Sequence, residues 1–374
     1  MPKVIVGMSG GVDSSTAAYL LKEQGYDIEG LSFILWETRQ SKNFTACCSL
    51  QAIEEAAKTA AHLGIPHSAV DVRDDFLEKV IEPFIDSYTK GMTPNPCILC
   101  NKYIKFPYLI KEAEKRGAEF IATGHYARVE QEGPEHQSIR GSKFLKKGID
   151  SKKDQSYFLY VLKQEELKRI LFPLGNYKKE DVRKLANELK LPAAQRPESQ
   201  EICFIEGRNY FGLIDKINPD SSGPIMDMGG KILGKHKGIY HYTIGQRKGL
   251  GISSKEPLYV VKIDAEKNIV YAGSQEHAKI KEFEVSGLNW LIPIHPVRDE
   301  SLNGVHRFTV KVRSMMKPEP AAIHLSENSD TVKVIFDEPQ WATAPGQSAV
   351  FYDEDIVIGG GVIEKVELQE AINA

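Results

Sequence analysis

Two groups of residues in this chain are equipped for chemistry: a glycine and serine loop near the start, and three cysteines further on. The loop reads Gly7-Met-Ser-Gly-Gly-Val-Asp-Ser14, with Ser15 following. A β-branched run (Val4, Ile5, Val6) enters it, and a helical pattern leaves it, with Ala17, Leu20 and Leu21 on one face and Gly25 placed as the stop. A strand–loop–helix unit aims unpaired backbone N–H groups and the positive end of a helix at one point. Gly10 and Gly11 let an anion approach, and Ser9, Ser14 and Ser15 add hydroxyls, so phosphate is the expected guest. Asp13 would repel phosphate, which implies a bridging Mg2+. Cys97 and Cys100 form a lone C-x-x-C, and Cys203 stands apart. The pair reads as a redox couple, half a metal site, or packed thiols. With no second C-x-x-C and no histidine at ligand spacing, the pattern argues against a closed four-ligand zinc site. Thiol chemistry and a [4Fe-4S] cluster on Cys97, Cys100 and Cys203 stay open. Pro94 and Pro96 flank Asn95 and predict a stiff, extended loop around the pair. Cys47 and Cys48 read as packing residues.

These groups need a scaffold. The chain has 374 residues, 26% of them charged, a net charge of −3 and five cysteines. That composition predicts a globular, multidomain, cytoplasmic protein with no disulfide framework, no membrane span and, by default, a monomeric state. Residues 1–205 alternate strand and helix: strands at 26–33, 68–72 and 120–123, helices at 49–62 and near 180, and one ending near Gly117. The expected product is an α/β, doubly wound, mostly parallel sheet, with its ligand beyond the carboxyl ends of the strands. Residues 206–275 form a small basic middle domain. From Met228 to Lys255 there is no carboxylate, and lysines, arginine, histidines and tyrosines interleave. That pattern predicts phosphate contacts and base stacking on a nucleic acid. A second basic run, Arg140 to Lys153, holds six basic residues against Asp150. Residues 276–374 carry short strands (305–313, 332–336, 349–352 and 356–362) and predict an all-β, barrel-like domain.

The loop lacks the lysine and spacing of a P-loop and resembles the pyrophosphate loop of N-type ATP pyrophosphatases. The motifs Thr93-Pro-Asn-Pro-x-x-x-Cys-Asn-Lys102, Ala122-Thr-Gly-His-Tyr126, Lys153-Asp-Gln-Ser-Tyr-Phe158 and Ser199-Gln-Glu-Ile-Cys-Phe204 follow in order. With His241-Tyr-Thr-Ile-Gly-Gln-Arg-Lys-Gly249 and Pro345-Gly-Gln-Ser348, they resemble the tRNA-specific 2-thiouridylases, the MnmA family. The resemblance implies that Gly7, Met8, Ser9, Gly10, Gly11, Val12, Asp13 and Ser14 hold ATP phosphates, with Phe33 and Gly124 also on the nucleotide. Asn95, Pro96 and Cys97 would face the target base. His125, Lys153, Asp154, Gln155, Arg313, Ser314 and Gln347 would meet the tRNA. Cys203 would carry a persulfide delivered by a sulfur-relay protein or cysteine desulfurase, and Cys100 would be the partner thiol, leaving a disulfide. This chain departs from the family at Cys97, where many members have aspartate, and at Ser314, where an aromatic is common. The alternatives are the same reaction run on an iron–sulfur cluster, another ATP pyrophosphatase acting on a small molecule, and an RNA-binding module with a vestigial nucleotide site.

Overall fold

The computed structural model describes residues 1–35, 50–131, 142–196, 202–204, 221–294, 305–325 and 330–368. Cys47, Cys48, Arg140 and the Ser199–Glu201 part of the second cysteine motif lie outside them. The chain divides into two compact units: Met1–Ile81 with Pro96–Arg208 and Asp355–Val357, and Glu82–Asn95 with Asn209–Glu354 and Ile358–Ala374.

The first unit is built on a parallel sheet in the order β3-β2-β1-β4-β7. Its first strands are β1 (Lys3–Gly7), β2 (Asp27–Ile34), β3 (His67–Asp71) and β4 (Phe120–Ala122). A hairpin of β5 (Ala127–Glu130) and β6 (Phe144–Lys147) precedes β7 (Ile170–Leu171). The unit's helices are α1 (Val12–Glu23), α2 (Leu50–Leu63), α3 (Arg73–Phe76), α5 (Pro96–Cys100), α6 (Phe106–Lys115), α7 (Gln164–Leu167) and α8 (Lys179–Glu188), while α4 (Glu82–Thr89) belongs to the second unit. Strand alternation sorts the core. Val4 and Val6 pack with Val12, Ala18 and Leu21 of α1 and Ala56 and Ala60 of α2, while Gly7 on the other face abuts Leu109 of α6. Gly25, Gly64 and Gly117 all take the left-handed conformation just past the helices they follow.

The cysteine pair corrects an expectation. Pro96 does not hold an extended loop; it opens α5, which runs on through a π-helical stretch (Asn101–Lys105) into α6. Proline suits a first helical position, where its missing N–H would have no intrahelical partner. Cys97 and Cys100 therefore sit within one helical turn, immediately before a π segment, a local widening that is frequent at functional sites.

In the second unit, β8 (Gly223–Met226), β9 (Ile232–His236), β10 (Tyr259–Asp264) and β11 (Ile269–Gly273) form a sheet in the order β10-β11-β8-β9. Then β12 (Lys279–Trp290), β13 (Val305–Lys311), β14 (Glu319–Leu325), β15 (Val332–Trp341), β16 (Ser348–Asp353) and β17 (Ile356–Leu368) run antiparallel in the order β12-β15-β14-β13-β16-β17. Strand β12 pairs with both β15 and β17, so the sheet closes into a barrel. Phe283 and Phe336 fill its interior. Strands β12 and β14 were not expected from the sequence.

Candidate active site

A cavity of about 370 Å3 opens in the first unit beyond the carboxyl ends of β1, β2 and β4. Gly7, Met8, Ser9, Gly11, Val12, Asp13 and Ser14 line it from the loop, Phe33 from the end of β2, and Gly124 from the turn after β4. Of the residues expected to hold ATP, Gly10 alone is outside the lining. It sits behind, at φ +69, where its carbonyl accepts a 3.0 Å hydrogen bond from Arg196 Nη1. A Cβ there would land on the Ala52 carbonyl of α2 and crowd Arg196. Gly10→Ala is therefore expected to cost about 2–4 kcal/mol, from left-handed strain plus overpacking. Thermal unfolding and nucleotide titration of the variant check this.

The loop serines divide. Ser9 N–H donates to Ser14 Oγ at 3.2 Å, Ser14 Oγ donates to the Gly11 carbonyl at 3.2 Å, and both residues line the cavity. Ser15 does not join them. It is fully buried, bonded to the Gly11 carbonyl at 2.9 Å and to Thr59 of α2 at 3.4 Å.

Asp13 lines the cavity with partners the sequence did not show. Its two carboxylate oxygens each accept from Lys179 Nζ at 2.7 Å, and Oδ1 accepts from the Tyr126 hydroxyl at 2.7 Å. A buried ammonium on α8 thus balances the carboxylate the sequence assigned to Mg2+. Among the described residues no group of three His, Cys, Asp or Glu side chains is placed to hold a metal. Lys105, Lys153, Lys179 and Arg196 line the cavity against the single carboxylate of Asp13, which suits a polyphosphate. Apart from Lys153, these cations were not singled out in the sequence. The signal for Lys179 was its place on the apolar stripe of α8, three residues before Val182 and seven before Ala186, all buried.

His125, Lys153 and Gln155, expected at the tRNA, line the same cavity. His125 stacks on Phe106 (centroids 5.9 Å apart), meets the edge of Phe172, and shares a 2.6 Å hydrogen bond with Thr123 Oγ1. Desolvation, then the Lys105 charge, pushes its pKa down to about 3, so it acts as a neutral imidazole. Asp154 staples its own turn, accepting from the Gly148 and Ser156 N–H groups and the Ser156 hydroxyl.

Cys97 is exposed, Cys100 buried and Cys203 half-buried, and none is in a disulfide. Helix α5 packs against the π-helical stretch Leu77–Ile81. Phe204, next to Cys203, sets its ring edge-on to Phe76, immediately before that stretch, at 5.7 Å. Both cysteine segments thus rest on one support, residues 73–81. The three thiols do not form a cluster-ready ligand set. The expected disulfide is likewise not formed in this state.

The second unit revises the basic segment. Lys231, Lys235, Lys237, Arg247, Lys248 and Lys255 are exposed, as phosphate contacts require. His236, Tyr240 and Tyr242 are buried and offer no stacking surface. Burial lowers the pKa of His236, whose Nδ1 accepts the Gly238 N–H. Ser314 is half-buried. Arg313 and Gln347 turn donors inward, Arg313 to the Ala342 and Ile244 carbonyls at 2.9 and 2.8 Å, and Gln347 to the Thr93 carbonyl at 2.8 Å.

Comparison with known proteins places this architecture. Residues 2–207 match the tRNA methyl transferase HUP domain model, 212–274 its PRC-barrel domain, and 280–363 the aminomethyltransferase β-barrel domain. A tRNA-specific 2-thiouridylase MnmA 2 from Thermoanaerobacter sp. (strain X514) is 51% identical over 371 residues, covering 97% of this chain and 98% of that protein. The chain belongs to the MnmA family. The MnmA of Clostridioides difficile (strain 630) is 45% identical, over 97% of this chain and 98% of its own. The MnmA 1 of Caldanaerobacter subterraneus subsp. tengcongensis is 50% identical with the same coverage. These relatives are named tRNA-specific 2-thiouridylases, and no described helix of this member is long and apolar enough to cross a membrane.

Proposed function

We propose that this enzyme thiolates C2 of the wobble uridine of tRNA, using ATP in the cavity of the first unit and sulfur carried on Cys203. The observation that carries the reading is the full-length identity to MnmA proteins, joined to a cation-lined cavity built on the glycine loop. The uracil C2 carbonyl is a poor electrophile with a poor leaving group. Attack of its oxygen on the α-phosphate of ATP expels pyrophosphate and leaves AMP bonded at that oxygen. Lys179, Lys105 and Arg196 stabilise the departing charge. The loop backbone N–H groups hold the phosphates, and Phe33 flanks the adenine.

The terminal sulfur of a Cys203 persulfide attacks C2, AMP leaves, and a C2–S–S–Cys203 adduct remains. The Cys100 thiolate attacks the Cys203 sulfur, the S–S bond to the base breaks with its electrons going to the base sulfur, 2-thiouridine leaves, and a Cys100–Cys203 disulfide forms. An external thiol restores both cysteines. The sulfur arrives from a sulfur-relay protein or a cysteine desulfurase in the cytoplasm. Basic side chains of the middle domain, with Lys152 and Lys153, neutralise the tRNA backbone, and the target base is flipped to reach the cavity.

The test is mass spectrometry of nucleosides from tRNA incubated with enzyme, ATP, Mg2+ and a sulfur source. One sulfur-for-oxygen exchange at uridine, dependent on ATP, is expected. Pyrophosphate release that ignores tRNA would instead mark a small-molecule pyrophosphatase.

A further inference from the structure

Strand β2 carries one hydroxyl in an otherwise apolar stretch, Leu31-Ser-Phe-Ile34, and Ser32 is buried there. A buried hydroxyl needs partners, and this one has two on the protein. Ser32 Oγ donates to the Met8 carbonyl of the phosphate loop at 2.7 Å. It also lies 2.8 Å from Nε2 of His67, on the neighbouring strand β3. A hydroxyl owns a single hydrogen. Because that hydrogen goes to a carbonyl, which only accepts, His67 Nε2 must be the donor in the second bond. Burial lowers the His67 pKa and keeps the ring neutral, so its one N–H is the one on Nε2. Gly30 makes room for the arrangement: a Cβ there would stand 3.2 Å from His67 Cδ2 and collide with the Met8 sulfur. Met8 is held on its other side too, its N–H donating to the Leu31 carbonyl at 2.8 Å.

We infer that Ser32 is a specificity residue for the base of ATP, its oxygen accepting an N–H of the adenine 6-amino group. The inference rests on the proposed binding of ATP in this cavity. A hydroxyl oxygen has two lone pairs. His67 occupies one, and the other is left for a ligand. Ser32 lines the cavity with Phe33, Leu35, Ala52 and Ile53, an apolar wall that suits a purine rather than phosphate. The triphosphate offers acceptors only, and the 6-amino group carries the only N–H donors of the adenine ring. With its hydrogen committed to Met8, Ser32 is a fixed acceptor toward the cavity. It complements a 6-amino purine and opposes guanine, whose O6 would set two acceptors face to face. Since Met8 belongs to the phosphate loop, one hydroxyl serves both the base and the anchoring of the loop.

The test is equilibrium binding of three triphosphates to the full-length enzyme: ATP, GTP and purine riboside triphosphate, which lacks only the 6-amino group. The parent enzyme is expected to bind ATP about 3- to 10-fold tighter than purine riboside triphosphate, the range of one neutral hydrogen bond. GTP is expected to bind at least about 10-fold more weakly than ATP. In Ser32→Ala the preference for ATP over purine riboside triphosphate should shrink to within about twofold. Ser32→Thr keeps a hydroxyl on a residue that favours strands and should retain the parent's ranking. A hydroxyl that served the fold alone would weaken all three ligands alike and leave the ranking intact, and that result overturns the inference. So does a parent enzyme that binds ATP and purine riboside triphosphate equally. A thermal melt reports whether each variant has folded. If Ser32→Ala has not, a structure of the parent with ATP decides: N6 within about 3.2 Å of Ser32 Oγ upholds the contact, and a wider gap overturns it. A parent that binds none of the three nucleotides overturns the functional reading itself, whereas thiolation with ATP bound and no preference for the amino group defeats only the role of Ser32.

Discussion

Lys179→Met is expected to weaken ATP binding by about 10- to 100-fold and to slow adenylation at least as much. A hydrogen bond to a charged group is worth about 1.5–3 kcal/mol, which sets that range. Lys179 is buried, lines the cavity and lies 2.7 Å from both oxygens of Asp13 on the phosphate loop. In the nucleotide-free state the pair neutralises itself. When the triphosphate enters, Lys179 has a second anion within reach, while the Asp13 carboxylate stays one-third exposed. The substitution also strips the cation from the Asp13 carboxylate, so stability falls, by less than the loss at a fully buried pair because water reaches that carboxylate. Equilibrium titration with ATP and a thermal melt separate the two losses. An ATP affinity equal to the parent's would mean that Lys179 serves the fold alone. Asp13→Asn supplies the complement: it leaves a buried ammonium short of its anion, so the melt falls, while the cation lining stays intact.

The sequence made the first unit legible because each of its elements carries its own period. Val4–Val6 is a fully apolar run of the kind a central parallel strand needs, and Gly25, Gly64 and Gly117 stop helices where only a left-handed residue fits. Most of the cavity lining contributed by the glycine loop followed, since that loop is contiguous. What a linear pattern cannot show is how a donor is spent. Arg313 and Gln347 read as meeting RNA, and in the fold Arg313 Nε and Nη2 and Gln347 Nε2 each donate to a backbone carbonyl at 2.8–2.9 Å, contacts the linear pattern does not show. Tyr240 and Tyr242 look like stacking platforms beside lysines, and they prove to be core. The partner that Asp13 takes in the fold, Lys179, lies 166 residues away and could not be seen in the linear pattern. Pro94 and Pro96 misled in another way: two prolines with one residue between them suggest a rigid loop, whereas the second one opens a helix that carries both cysteines of the pair.

The cysteine variants should divide the reaction into its two halves. With Cys203→Ser no persulfide can be loaded, so thiolation is expected to fall to background while tRNA-dependent pyrophosphate release stays within a few-fold of the parent. Cys203 is half-buried and the described cavity lining does not include it, so adenylation has no need of its sulfur. Cys100→Ser leaves persulfide loading and attack on C2 intact and removes the thiol that resolves the C2–S–S–Cys203 adduct. That variant should therefore accumulate tRNA covalently bound to protein, seen as a slow band on a non-reducing gel and discharged as 2-thiouridine by excess dithiol. Cys97→Ser decides between carriers. Cys97 is exposed, on the same helical turn as the buried Cys100. If sulfur travels on Cys203 alone, the variant keeps most of the thiolation rate. If sulfide is delivered from a cluster that needs three thiolates, it loses activity together with iron and visible absorbance after anaerobic purification. A Cys100→Ser enzyme that forms no adduct while Cys97→Ser is inactive would replace the persulfide route with the cluster. An adduct in Cys100→Ser that disappears in the Cys100→Ser, Cys203→Ser double variant would establish Cys203 as the atom that carries sulfur to the base.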